Sequence, residues 1–207
     1  MSLFIGIPAL YALYKGRKLN RTVIPFVILL QLSFLCEVLG LVLIKFYGNN
    51  IVSYNVSGLL GGLLCVLQLA IWDENTGNRW IYFSVAGILP MSWFLEWLLV
   101  RETNYFFSYS IVTQSLILVA LSVNVAMQRF YNNVVGIKKD AIFIICIAFI
   151  IFNSYGLLTE LYLLWGFQVY ASWHKYVAGI FSFVNFFVNL LYLYAVTCMP
   201  QKIRCSS

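Results

Sequence analysis

Three carboxylates stand where a carboxylate is costly. Glu37, Glu96 and Glu160 lie inside or at the end of long apolar runs, in a chain that has only seven acidic residues. A charged side chain at the centre of a membrane helix costs about 2.5–3.5 kcal/mol on insertion scales, whereas each Leu, Ile, Phe or Val returns about 0.3–0.6 kcal/mol. One such Glu cancels roughly six apolar neighbours and is therefore expected to face a bundle interior, carry a proton or hold a cation. Carboxylates brought close together cannot all ionise cheaply, so a shared site would retain protons or attract a metal ion or an amine. The simpler alternatives are solvation by headgroups, or ion pairing with Lys45, Arg101 and Lys175, the cations nearest to the three acids in the expected topology.

The surroundings of the three acids match. Ser33, Ser92 and Gly156 each precede a Glu by four positions, one helical turn earlier on the same face. The turn that follows repeats as well: Asn49 with Ser53 and Tyr54, Asn104 with Ser108 and Tyr109, Gln168 with Ser172 and Trp173. Glu-to-Ser spacing is 12 in the second and third copies and 16 in the first. Asn20-Arg21 and Asn78-Arg79 add a further correspondence at the other end of the first two copies. This pattern predicts an internal repeat of roughly 60 residues, built as three helical hairpins in one orientation behind a leading helix.

Other polar positions are weaker candidates. Asn185 and Asn189, spaced i and i+4 in the last apolar run, form a stripe that would line a cavity or bond a neighbouring helix. His174 is the sole histidine and is a weak candidate metal ligand, because no second ligand stands at helical spacing from it. Ser53, Ser57, Gly61 and Cys65, with Gly58 and Gly62 alongside, predict a seam where two helices approach closely. The polar residues of the fifth run, Thr113, Gln114, Ser115, Ser122 and Asn124, keep to no single face. The five cysteines show no paired spacing, and no nucleophile elbow, phosphate loop, dinucleotide fingerprint or zinc-protease motif occurs. No cofactor is expected.

The elements that must position these residues follow from composition. Of 207 residues, 62% are hydrophobic and 10% charged, against roughly 25% charged in a soluble domain. Too few polar side chains remain to cover a water-soluble surface, and the basic residues never cluster with exposed aromatics as a nucleic-acid binder requires. Seven apolar segments, near 2–14, 22–44, 51–72, 80–100, 106–127, 141–164 and 176–198, predict an all-α integral membrane protein. The expected architecture is a seven-transmembrane-helix bundle arranged 1+2+2+2 in a single domain over 1–207, with a short cytoplasmic tail at 199–207.

Orientation follows from the basic residues. Lys15, Arg17, Lys18, Arg21, Arg79, Arg129, Lys138, Lys139, Lys202 and Arg204 fall on one side of the bundle and only Lys45, Arg101 and Lys175 on the other. The positive-inside rule then predicts an external amino terminus and a cytoplasmic carboxyl terminus, and a bacterial inner membrane is the expected location. Trp72, Trp80, Trp165 and Trp173 flank the connectors and are expected to act as interfacial anchors. The leading functional expectation is an outward-facing acidic pocket for a cation, proton or small amine, serving a transporter. Glu37, Glu96 and Glu160 would act there with Ser33, Ser92, Asn185 and Asn189. The alternatives are a sensor or accessory subunit that works through a partner membrane protein or a homo-oligomer, and an intramembrane enzyme acting on lipid.

Overall fold

In the lipid core no water is present to satisfy backbone N–H and C=O groups, so an apolar chain of this kind must close its hydrogen bonds within helices. The computed structural model describes residues 3–16, 20–75, 79–100, 106–132, 136–164 and 171–199, and it is helical throughout. Seven α-helices run α1 (Gly6–Gly16), α2 (Ile24–Tyr47), α3 (Ile51–Trp72), α4 (Arg79–Val100), α5 (Ser108–Asn132), α6 (Ala141–Leu164) and α7 (Ala171–Cys198). Six of them, α2 to α7, are long and apolar enough to cross a membrane. The protein is thus a multi-pass helical membrane bundle.

The first helix departs from the seven-span expectation. Its 11 residues rise about 16 Å at 1.5 Å per residue, roughly half of a 30 Å hydrocarbon core. It packs on one half of α2 and α7 only. A Cβ on Gly6 would meet the Phe34 ring at 2.8 Å, Gln31 Nε2 donates to the Ala9 carbonyl at 2.7 Å, and Phe4 meets Phe186 edge-on at 4.9 Å between ring centres. At its other end Lys15 Nζ donates to the Val196 and Thr197 carbonyls, both at 2.8 Å. The lysine thereby caps the carbonyls that α7 leaves open at its C-terminus, where a cation suits the helix dipole. The physical limit is plain in the sequence: the run from Leu3 meets charge at Lys15 before it is long enough to span.

Helix ends are tied by side chains from neighbouring helices. Pro25 lies in the first turn of α2, where its missing N–H is no loss. Gln68, fully buried on α3, accepts from the Phe26 N–H at 2.7 Å and donates to the Thr22 carbonyl at 2.8 Å. Gly48 ends α2 with φ of 72°, a left-handed conformation that glycine adopts without steric cost. Around Phe26 the core gathers Trp72, Phe149 and Tyr192 at 6.4, 6.3 and 5.4 Å between ring centres, joining α2, α3, α6 and α7. Trp72 is 2% exposed and belongs to this core, not to an interfacial belt. Its neighbour in sequence, Trp80, is exposed as an anchor would be.

Helix α3 also packs on α4 and α5, and α5 on α6. Of the predicted small-residue seam, Gly62 makes a close approach, and the partner there is Gln114 of α5. A Cβ on Gly62 would lie 2.5 Å from Gln114 Cδ, and Gln114 Nε2 donates to the Gly58 carbonyl at 3.1 Å. Gln114 therefore has a definite packing role that the scattered polar residues of its run do not announce. At the end bearing most of the basic residues, Glu74 pairs with Arg129 at 3.0 Å and Asp73 accepts from the Tyr82 hydroxyl at 2.7 Å. These contacts fasten the end of α3 to α4 and α5.

Candidate functional site

Helix α5 begins at Ser108, and its first N–H groups have no partner within the helix. Glu96, on the last turn of α4, supplies the acceptor. Its Oε1 accepts from the Tyr109 N–H at 3.2 Å, and its Oε2 accepts from the Ser110 N–H at 2.7 Å and from Ser110 Oγ at 2.6 Å. A carboxylate at the positive end of a helix dipole, accepting short charge-assisted bonds, is well stabilised there. Only 5% of Glu96 is exposed, so this acceptor works in a low-dielectric setting where its bonds are strong.

Glu160, on α6, reaches the same helix start from another side. The Ser108 hydroxyl hydrogen-bonds to it, Glu96 is close enough to interact with it electrostatically, and Tyr54 of α3 lies within the same range. Glu160 is 8% exposed, and its Oε2 is buried without a partner among the described residues. Ser108 and Ser110, two positions apart in the first turn of α5, thus each meet one of two carboxylates that lie within electrostatic range of one another. Among the described residues the single ion pair is Arg129–Glu74, at the opposite end of the bundle. Two neighbouring buried carboxylates repel when both are ionised, and a shared proton or a small cation removes that repulsion.

The third acid stands apart. Glu37 is half-buried on α2 with its Oε2 buried and unpartnered among the described residues, and neither Glu96 nor Glu160 is among the groups that influence it. Nor does it cap α3 as Glu96 caps α5. Helix α3 begins at Ile51, whose N–H is taken by Asn49 Oδ1 at 2.8 Å, and the Tyr54 N–H is taken by the Asn50 carbonyl at 3.0 Å. The extra turn between Glu37 and Ser53 replaces the carboxylate cap with a local one.

The remaining candidates do not join the acid pair. Ser92 Oγ donates to the Leu89 carbonyl of its own helix at 2.9 Å, and Ser33 is half-buried on α2. Asn189 Nδ2 donates to Asn185 O at 2.9 Å and to Asn185 Oδ1 at 3.0 Å, so these bonds stay within α7 and bridge no helix. Asn189 also borders an apolar cleft of about 80 Å³ that Phe4, Ile7 and Phe186 line. The side chains of His174, Ser172 and Lys175, and the residues Arg101, Asn104 and Gln168, lie outside the described residues. No cluster of three metal-ligating side chains forms among the described residues, and two carboxylates alone are a poor donor set for a transition metal.

Ser110 is the site residue that sequence reading missed. A usable signal exists: Ser108 and Ser110 follow an intramembrane Glu by 12 and 14 positions at a helix start, where hydroxyls and open N–H groups collect. Comparison with protein-family models, with curated proteins and with solved structures finds no match to this chain.

Proposed function

We propose that this multi-pass membrane protein binds a proton or a small monovalent cation at the Glu96–Glu160 pair, and that binding is coupled to movement of a substrate across the bilayer. One observation carries the reading: two carboxylates within electrostatic range of one another, each at least nine-tenths buried, with one oxygen unpartnered and no ion pair to either among the described residues. Buried carboxylates without a countercharge are costly enough that a site of this kind is kept for a ligand or a proton.

Helix α5 is the coupling element. Glu96 holds the first turn of α5 through three bonds, and these weaken when a proton or cation occupies the carboxylate. Occupancy at the pair therefore changes how firmly α5 is fixed to α4. The excess of basic residues at the other end of the bundle orients the pair toward the outside and the carboxyl terminus toward the cytoplasm. In this reading the three hairpins α2–α3, α4–α5 and α6–α7 descend from one repeat in which the extra turn after Glu37 has released that acid from the pair.

Thermal unfolding of purified protein across pH and sodium concentration tests the binding. A ligand that binds only the native state raises Tm by mass action, so Tm should rise as pH falls or sodium rises, and Glu160→Gln should remove that response. An unchanged Tm across both series for the native protein contradicts the proposal.

A further inference from the structure

Because α1 is half a span long, the two halves of the bundle are built differently. Helix α1 packs on both α2 and α7. Its start lies at mid-height, where Gly6 meets Phe34 and Phe4 meets Phe186, and its end lies at the α7 terminus, where Lys15 binds the open carbonyls. Over that half both long helices are covered. Buried positions of α2 fall between 25 and 30, with Gly40 the one exception, and the described buried positions of α7 fall between 188 and 196. None of the described side chains from 176 to 187 is buried. Among the described residues the ring contact between α2 and α7, Phe26–Tyr192, also lies in the covered half.

The faces that α1 covers continue past its start. On α2, Val38, Leu41 and Lys45 follow Phe34 at helical spacing, and all three are exposed. On α7, Phe183 and Gly179 stand one and two turns before Phe186. Phe183 is 69% exposed, and a Cβ on Gly179 would meet nothing within 4 Å. In line with α1, in the half away from the basic connectors, α2 and α7 thus flank a recess that is open to the side.

Height and chemistry together point to one occupant. Phe34 and Lys45 are 11 positions apart, about 16 Å of helix, which is roughly half of a 30 Å hydrocarbon core and so the depth of one leaflet. Over that depth the α2 face is apolar, and it ends in a cation whose long stem carries the ammonium to headgroup level. A molecule that is apolar for one leaflet and anionic at the surface is an acidic phospholipid. We propose that the recess beyond the start of α1 binds one anionic phospholipid, with an acyl chain along α2 and α7 and the phosphate on Lys45. The chain does in this leaflet what α1 does in the other. The apolar cleft of about 80 Å³ bordered by Phe4 and Phe186 adjoins the recess and takes the chain end. Neither Glu96 nor Glu160 takes part, so the site does not depend on their reading as a cation pair.

Native mass spectrometry of protein in mild detergent, titrated with phosphatidylglycerol or with phosphatidylcholine, tests the site. The expected result is one phosphatidylglycerol held per chain in preference to phosphatidylcholine. Leu41→Trp fills the recess from an exposed position and should lose that lipid, whereas Leu116→Trp, 54% exposed on α5, should keep it. Lys45→Gln should weaken binding roughly fivefold, the equivalent of the about 1 kcal/mol that one basic residue contributes at an anionic surface. Should Leu41→Trp not fold, Val38→Trp makes the same test from the same face. Equal retention in the native protein and the recess-filling variant would overturn the proposal, as would equal binding of the two lipids. A dimer that Leu41→Trp splits would overturn it too, by seating a second copy in the recess. Each of these outcomes leaves the pH and sodium response of Tm untouched, so the two proposals fail separately.

Discussion

At the scale of single residues, two buried glutamates are held in opposite ways. Glu96 accepts three short bonds from the start of α5, while Glu160 has one hydroxyl partner and a buried free oxygen. Their amide variants should therefore move stability in opposite directions. In Glu96→Gln one of the two oxygens becomes an NH₂ that faces backbone donors, and a buried donor left unpaired costs about 1–3 kcal/mol. In Glu160→Gln the charge beside Glu96 is removed and the repulsion with it, so at neutral pH the variant should match or exceed the native protein. Ser110→Ala deletes one hydroxyl bond and keeps both N–H bonds, which predicts a loss of about 1 kcal/mol, smaller than that of Glu96→Gln. Unfolding of the three variants in mild detergent with titrated denaturing detergent ranks them directly.

At the scale of elements, the joints are side chains that close the ends and seams of helices. Gln68 satisfies both the Phe26 N–H and the Thr22 carbonyl at the start of α2. Gln68→Leu keeps the volume and strands the buried Phe26 N–H, while the Thr22 carbonyl stands at the exposed start of the helix, so it should cost about 1–3 kcal/mol, the loss expected for one unsatisfied group. At the α3–α5 seam, Gly62→Ala drives a Cβ to 2.5 Å from Gln114 Cδ and dislodges its bond to Gly58, whereas Gly61→Ala meets only Leu29 at 3.7 Å. The first should lower Tm measurably and the second should not. These joints also mark how far sequence carries. The helical class and the close approach at Gly62 were legible because long apolar runs and small residues constrain length and packing directly. Gln68 and Gln114 were not, since a lone amide in an apolar helix has no periodicity, and its partner 42 or 56 positions away appears only when the helices meet. Helix α1 was counted among the spans on its apolar content, although its length reaches only about half of one. The same blindness put Trp72 at the interface, although it packs on Phe26, because a tryptophan near a helix end reads alike in either role.

At the scale of the whole molecule, the end that bears most of the basic residues is closed by an aromatic core, and the buried acids Glu96 and Glu160 lie toward the other end. Phe26 with Trp72, Phe149 and Tyr192 fills the half near the basic connectors, and Glu74–Arg129 fastens the same end. Phe26→Ala should cost about 3–5 kcal/mol through the cavity left among four helices. Cysteine labelling in sealed membranes checks the orientation: a cysteine at position 104 should react from outside and a tag after position 207 should lie inside, and the reverse pattern would invert the topology. The central claim is that the adjacent buried carboxylates Glu96 and Glu160 hold a proton or a cation. Infrared difference spectroscopy of the carboxyl C=O stretch, titrated with pH and with sodium, measures that occupancy without assuming any substrate. The account predicts a protonated-carboxyl band that fades as pH or sodium rises and is missing from the Glu96→Gln/Glu160→Gln double variant. A native spectrum in which both carboxyls stay ionised at every pH where the protein is folded, with no change on adding sodium, would contradict it.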